Sequence, residues 1–222
     1  MEYSYLIVVA LMLILGLGSQ AIIKATFRKW SKVPSSSQLT GGQAARRMLD
    51  AHGLTHVSVL RVEGNLSDHY DPKKQVVCLS PAVFDESSVA ATAVACHECG
   101  HAVQHAANYA PSTVRTAVVP AVNLASNAWV FLLILGIFLA MYQLIAAAVA
   151  LYAVVIVFQL ITLPVEFNAS SRALAYIKTG GYLPPQESSG ATSVLRAAAF
   201  TYVAAALASL LYLVYILGFA RR

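Results

Sequence analysis

The chain has 222 residues, of which 58% are hydrophobic and 11% are charged, and its mean hydropathy is +0.66. So few charges exclude an ordinary water-soluble domain and predict a membrane protein with room for several spans and one modest domain. The net charge of +5 does not indicate nucleic-acid binding, because Lys and Arg in a membrane protein first report its topology. We therefore expect a lipid bilayer, and no nucleic acid, among its partners.

The first predicted element is a transmembrane helix over residues 1–23. From Tyr3 to Ile23 the chain is apolar for about 20 residues, which is enough to span a bilayer. A cleaved signal peptide carries its basic residues before the apolar run, whereas here they follow it. They are Lys24, Arg28, Lys29 and Lys32. By the positive-inside rule, the N-terminus lies outside and the chain from Lys24 onward is cytoplasmic.

Residues 24–115 are predicted to form a small cytoplasmic region of mixed helix and strand. Thr40 is expected to cap a helix, with Gln43 at the reciprocal position of a capping box. Short strands are predicted at Val57–Val62 and Gln75–Leu79, where β-branched and apolar residues cluster. The sheet of this region is therefore expected to be small.

A helical run from about Ser87 to Ala107 contains His97, Glu98 and His101 in the spacing H-E-x-x-H. Two imidazoles four residues apart lie one turn apart on the same helix face and can share one Zn²⁺. Glu98 lies beside them, where a carboxylate can take the proton of a water molecule. Gly100 costs about 1 kcal/mol relative to Ala in a helix interior, so we expect another part of the chain to approach it closely.

Cys96 and Cys99 overlap this motif as C-x-x-C, which leaves a thiol redox sensor as an alternative function. A regular helix places residues i and i+3 along one face without bringing their thiols to disulfide geometry. Two small residues packed within a helix are therefore the preferred interpretation of this pair.

Residues 116–165 contain no charged residue and are predicted to form a transmembrane hairpin. We place its helices near 118–140 and 144–163, with Tyr142 and Gln143 at the turn. Because the hairpin crosses the membrane twice, the chain returns to the side from which it started.

Glu166 follows this hairpin directly and is predicted to begin a helix and loop over residues 166–187. The hairpin returns Glu166 to the side of His97 and His101, and two His with one Glu form a known catalytic zinc set with a fourth position for water. The alternative is a carboxylate at a helix start, where the helix dipole favours negative charge. Glu63, Asp85 and Glu187 are competing carboxylates, each in an ordinary loop or cap context.

The last predicted segment, 188–222, is a helix that includes a fourth span near 197–219. Gly180, Gly181 and two prolines separate it from the preceding helix. Only Arg221 and Arg222, of the 15 Lys and Arg residues, would then lie outside, so the topology with an outer N-terminus is retained.

Several motifs of the chain resemble the bacterial membrane neutral zinc metallopeptidases of the YugP type. The likeness extends over nearly the whole chain, with the same plan of four spans. Its carriers are 68–72 (DHYDP), 94–104 around HECGH, 119–120 (VP) with Asn123, and 163–170 (LPVEFNAS) with Arg172. A weaker likeness exists to the HtpX-type and Ste24-type membrane peptidases, in which E-x-x-A-D follows the H-E-x-x-H motif. Ser170 stands where that Asp would be.

The resemblance implies a membrane-embedded metallopeptidase of the gluzincin kind, with one zinc ion on His97, His101 and Glu166 and with Glu98 as general base. It also implies a bacterial inner membrane location. The implied fold is a mainly α membrane protein with four transmembrane helices and a small α+β, zincin-like cytoplasmic catalytic part. The cytoplasmic position suggests peptide or membrane-protein substrates.

Five further residues are candidates for support of this chemistry. Asn168, Ser170 and Arg172 follow the predicted third ligand and are candidates to orient the zinc histidines. His69 and Tyr70 are candidates to contact the substrate or its oxyanion, although a solvated loop explains their segment equally well. A zinc-binding membrane adaptor without catalysis is the remaining alternative function.

Overall fold

The computed structural model describes residues 2–180 and 183–220, and the side chains of residues 6–180 and 183–218. The predicted outer residues Arg221 and Arg222, and Gly181 in the predicted break, lie outside these ranges. The elements in chain order are α1 (Glu2–Trp30), α2 (Gly41–Ala51), β1 (Ser58–Arg61), β2 (His69–Asp71), β3 (Val76–Leu79), α3 (Pro81–Phe84), α4 (Val89–Ala106), α5 (Ala110–Phe138), α6 (Tyr142–Thr179) and α7 (Pro185–Ala220).

The chain divides into two compact units. The first takes its described residues from 1–20, 113–164 and 200–222, and the second consists of 21–112 and 165–199. The first unit holds most of the apolar sequence, and within it the rings of Trp129 and Tyr152 lie 4.5 Å apart and those of Tyr152 and Tyr212 lie 5.6 Å apart. These edge-on and tilted contacts join α5, α6 and α7.

Within the described part of the chain, four helices are long and apolar enough to cross a membrane, namely Leu6–Trp30, Ala110–Phe138, Tyr142–Thr179 and Pro185–Gly218. The fold is therefore mainly helical, with four candidate spans and a small sheet, as the sequence predicts. Most of these helices extend well beyond the apolar runs from which they were predicted.

The helix that we expected to begin near Glu166 is instead the continuation of α6, which runs unbroken from Tyr142 to Thr179 through Pro164. Proline removes one backbone hydrogen bond from a helix interior and usually ends or kinks a helix. Packing outweighs this cost here, because Val165 and Glu166 are both buried immediately after the proline. The segment that carries Glu166 is thus part of the same helix as the third candidate span.

The second unit has a core between α2, α4 and the sheet, and its largest buried side chains include Met48, Leu49, Leu79, Ile177 and Leu195. The predicted capping box of α2 is confirmed. The Gln43 backbone N–H donates to Thr40 Oγ1 at 3.3 Å, and the Thr40 N–H donates to Gln43 Oε1 at 3.1 Å.

The sheet has three strands in the order β1-β3-β2, with β1 parallel and β2 antiparallel to the central β3. We predicted β1 and β3, but not β2, whose three residues are too few to show an alternating pattern. His69 pairs with Cys78 and Tyr70 with Val77. Asp68, just before β2, accepts hydrogen bonds from the Ser80 N–H at 2.7 Å and from its hydroxyl at 3.0 Å. This contact holds the segment before β2 against the end of β3.

Candidate metal centre

Helix α4 places two histidines on one face within the second unit. Ser88 caps the helix by accepting the Ala91 N–H at 3.1 Å. Most of the helix is buried, but His97 and His101 are partly exposed, and their ring centroids lie 4.8 Å apart in a T-shaped arrangement. The helical spacing thus brings both imidazoles to one open site.

Glu166 of α6 lies against both histidines. Its Oε2 is 3.3 Å from His97 Nε2 and 3.5 Å from His101 Nε2, and the side chain is only 2% exposed. The three ligand atoms all lie within 4.8 Å of one another. Two ligands on one tetrahedral zinc ion, with bonds near 2.1 Å, are about 3.4 Å apart. The composition of this group and its two distances from Glu166 are therefore compatible with a zinc ion.

The electrostatics of this group favour a positive charge. Burial lowers the pKa of His101, but its hydrogen bond to Glu166 and the charges of Glu98 and Glu166 more than compensate, so that the pKa is raised. A carboxylate buried beside two imidazoles is costly unless a proton or a metal ion neutralises it. The group could accordingly hold a metal ion.

The close approach that we expected at Gly100 is made by α6. A Cβ atom built on Gly100 would lie 2.6 Å from the Ala169 carbonyl oxygen and 3.1 Å from its carbon. Real Cβ atoms do not approach backbone atoms so closely, so only glycine allows α6 to lie at this distance. Gly100 therefore sets the separation between the helix of the histidines and the helix of Glu166.

Gly100→Ala is expected to weaken zinc binding by about 10-fold or more, because backbone atoms of α6 must move and Glu166 moves with them. The affinity can be measured by competition with a coloured chelator. Gly18→Ala is a matched control, since a Cβ there meets nothing within 4 Å. Unchanged zinc affinity in Gly100→Ala would contradict the role assigned to this contact.

Glu98 lies next to His97 on the same helix and is buried, with 8% of its surface exposed. Among the residues that the structure describes, it has no hydrogen-bond partner. Its negative charge reaches His101, whose pKa it helps to raise. A carboxylate so placed is available to a water molecule or a substrate at the site.

The predicted supporting residues lie on the same turns of α6. Ser170 Oγ is 3.2 Å from His97 Nδ1, so this serine contacts one of the two histidines. The partner of His101 Nδ1 is Gln104 Oε1 at 3.0 Å, which we did not predict. Asn168 Oδ1 accepts from Gln104 and from the Nε of Arg172 at 2.8 Å. The one feature of the sequence that could have predicted this contact is the position of Gln104 three residues after His101, because residues so spaced are neighbours on a helix.

His69 and Tyr70 lie on β2, and among the described side chains neither is hydrogen-bonded to the three candidate metal ligands. His69 is exposed, and its Nδ1 lies 2.7 Å from the Ser67 carbonyl oxygen. The Tyr70 hydroxyl lies 3.0 Å from Nδ1 of His105, one turn beyond His101 on α4. The strand is thus attached to the metal-binding helix through Tyr70.

A family model described as "Putative neutral zinc metallopeptidase" matches residues 5–221. The chain belongs to this family. It is also 47% identical over 196 residues to "Putative membrane protease YugP" of Bacillus subtilis (strain 168), which covers 88% of this chain and 87% of that protein. No solved structure matches the chain. The family implies zinc, and the described residues include one group that could hold it.

The two cysteines of the C-x-x-C pattern are buried in the interior of this member of the metallopeptidase family. Cys96 and Cys99 are fully buried in α4, and burial raises the pKa of the Cys96 thiol to about 12. The Cys99 thiol, whose pKa burial also raises, contacts the Ala45 carbonyl oxygen at 3.4 Å. Because the thiolate is the reactive form, these surroundings disfavour the redox-sensor alternative.

Proposed function

We propose that the chain is a membrane-embedded, zinc-dependent endopeptidase of the gluzincin kind, with a zincin-like catalytic part. The observation that carries this proposal is the group of His97, His101 and Glu166. Within it, Glu166 Oε2 lies 3.3 Å from Nε2 of His97 and 3.5 Å from Nε2 of His101. These three residues would hold the ion. Bound zinc supplies a Lewis acid that makes water nucleophilic near neutral pH.

Glu98 is the proposed general base. It is adjacent to the ligand His97, buried, and without a hydrogen-bond partner among the described residues, so its oxygens are available to a water molecule. In the proposed reaction, Glu98 takes a proton from water as the water oxygen attacks the peptide carbonyl carbon. Glu98 then donates this proton to the leaving amine when the C–N bond breaks.

The proposed substrate-binding element is the edge strand β2. Its outer edge has no partner strand in the three-stranded order β1-β3-β2, so an extended peptide can pair with it through backbone hydrogen bonds. Tyr70 attaches this strand to α4 beside His105. His69 or Tyr70 would then contact the substrate or stabilise its oxyanion.

We further propose that the site faces the cytoplasm of a bacterial cell from the inner membrane. The basic cluster after the first span supports this orientation. Helix α6, with 38 residues, is about 57 Å long, whereas the hydrocarbon core is about 30 Å thick. Glu166 lies 24 residues after Tyr142, or about 36 Å along the helix, and would thus emerge from the membrane. Membrane proteins and their juxtamembrane segments are the substrates that this position favours.

This topology predicts a labelling pattern for single cysteine probes. Thr55 and Gln143 are both exposed, whereas the three native cysteines are buried. A membrane-impermeant maleimide added to intact cells is expected to label Gln143→Cys and to miss Thr55→Cys until the cells are lysed. Labelling of Thr55→Cys in intact cells would overturn the proposed orientation.

The proposed activity is tested by metal analysis combined with a cleavage assay in detergent or liposomes. The purified protein is expected to contain about one zinc ion per chain and to cleave unfolded or membrane-protein substrates. A chelator should abolish this cleavage, and added zinc should restore it. Bound zinc without cleavage of any such substrate would instead favour the adaptor alternative.

A further inference from the structure

Gln104 is a fully buried polar residue in the last third of α4, with a relative exposure of 0%. Both ends of its side-chain amide have partners. Nε2 lies 2.7 Å from the Val165 carbonyl oxygen and 3.0 Å from Asn168 Oδ1, and Oε1 lies 3.0 Å from His101 Nδ1. Gln104 is therefore in contact with a metal-ligand histidine and with the α6 segment that carries Glu166.

The direction of every hydrogen bond in this chain of contacts follows from two groups that have a single role. A guanidinium only donates, so Arg172 requires an acceptor, which must be the Asn168 amide oxygen. A backbone carbonyl only accepts, so the Gln104 atom facing Val165 must be its NH₂ group. The Gln104 amide oxygen then faces His101 Nδ1, and this oxygen can only accept.

It follows that Nδ1 of His101 carries a proton, and that in the neutral imidazole, the form that binds a metal ion, Nε2 keeps its lone pair on the side of Glu166 Oε2, 3.5 Å away. This is the tautomer that a metal ligand requires. The contact of His97 has no such fixed direction, because the Ser170 hydroxyl can donate or accept. His101 is thus the histidine whose tautomer is determined by its surroundings.

We propose that Gln104 is a positioning residue of the metal centre, which fixes the tautomer and ring orientation of His101 and ties α4 to the turn of α6 that carries Glu166. The inference rests on the proposed metal site. Arg172 and Asn168 complete the arrangement by holding the Gln104 amide in one orientation. The ligand Glu166 and the groups that orient His101 therefore come from the same stretch of α6.

The test is the zinc affinity of the full-length protein, measured by chelator competition, beside the unfolding temperature of the zinc-free form. Gln104→Met keeps the length of the side chain but removes all three contacts. Gln104→Glu keeps an acceptor for His101 Nδ1 but loses the donor to Val165 and Asn168. Val103→Ala is the matched control, because it creates a cavity in the buried core of the same helix without touching the metal group.

Gln104→Met is expected to weaken zinc binding by about 10- to 100-fold, the usual effect of losing a partner that orients a ligand. Gln104→Glu should bind zinc more tightly than Gln104→Met even where its unfolding temperature is lower. Val103→Ala should unfold at a lower temperature with unchanged zinc affinity. If Gln104→Glu does not fold, the comparison of Gln104→Met with Val103→Ala decides.

Zinc affinity that falls in step with the unfolding temperature across all variants would show that Gln104 only supports the fold, and wild-type affinity in Gln104→Met would also overturn the proposal. Peptide cleavage does not enter this measurement. A wild-type protein that binds zinc but cleaves nothing would contradict the proposed function alone. A wild-type protein without zinc affinity would contradict both.

Discussion

Glu98→Gln is expected to reduce peptide cleavage by about 10²-fold or more while leaving zinc bound at wild-type affinity. The substitution keeps the size and shape of the side chain but removes its ability to accept a proton at neutral pH. The ligand residues His97, His101 and Glu166 remain. Because the loss concerns proton transfer, it should appear in kcat and not in KM.

The matched control for this variant is Glu86→Gln, which makes the same chemical change on an exposed carboxylate before α4. It should retain full activity. Zinc content and cleavage of one fluorogenic peptide are measured for both variants in the same preparation. Cleavage by Glu98→Gln within a few-fold of wild type would refute the assignment of Glu98 as general base.

Glu166→Ala is expected to lower zinc affinity by more than about 100-fold. This loss is larger than the loss of about 10- to 100-fold that is usual when a residue that only orients a ligand is removed. It leaves two imidazoles where three donors were, and it removes the buried negative charge that would partly neutralise the ion. Activity should be lost with the metal. Zinc content per protein, measured after dialysis against a weak chelator, reports the effect directly.

The choice of control for this second prediction depends on the structure. Glu187 competed for the ligand role by sequence and was expected in a loop, but it lies in the first turn of α7 and accepts the Ser36 backbone N–H at 2.9 Å and also the Ser36 hydroxyl. Its removal would disturb the contact between the segment after α1 and the start of α7. Glu86→Ala is therefore the better control and should keep its zinc. Full zinc in Glu166→Ala would exclude Glu166 as a ligand, and circular dichroism distinguishes ligand loss from unfolding.

The parts of the fold that sequence could predict are those determined by neighbouring residues. The reciprocal contacts of Thr40 and Gln43 lie within one helical turn, and the spacing of His97 and His101 is fixed by the helix period. The apolar runs predicted four helices because length and composition suffice for that purpose. Even Gly100 was informative, since an unfavourable residue in a helix interior indicated a close contact.

The parts that sequence did not predict depend on distant residues. Strand β2 has only three residues and exists because Asp68 is held by Ser80 and the strand pairs with β3. Pro164 favoured a helix end, but the buried packing of the following turn keeps α6 continuous. Gln104 was overlooked because its role comes from Val165 and Asn168, which lie 61 and 64 residues further along the chain.

The candidate metal group also has a consequence for the order in which the protein is made. Glu166 follows His101 by 65 residues, and the chain between them, which forms α5 and the first part of α6, includes the charge-free hairpin. A ribosome therefore delivers both histidines well before the third ligand. The three residues of the candidate metal group cannot come together until the hairpin between them has been synthesised. Under the proposed function, the protein would thus be inactive as a peptidase until this late stage of its own translation.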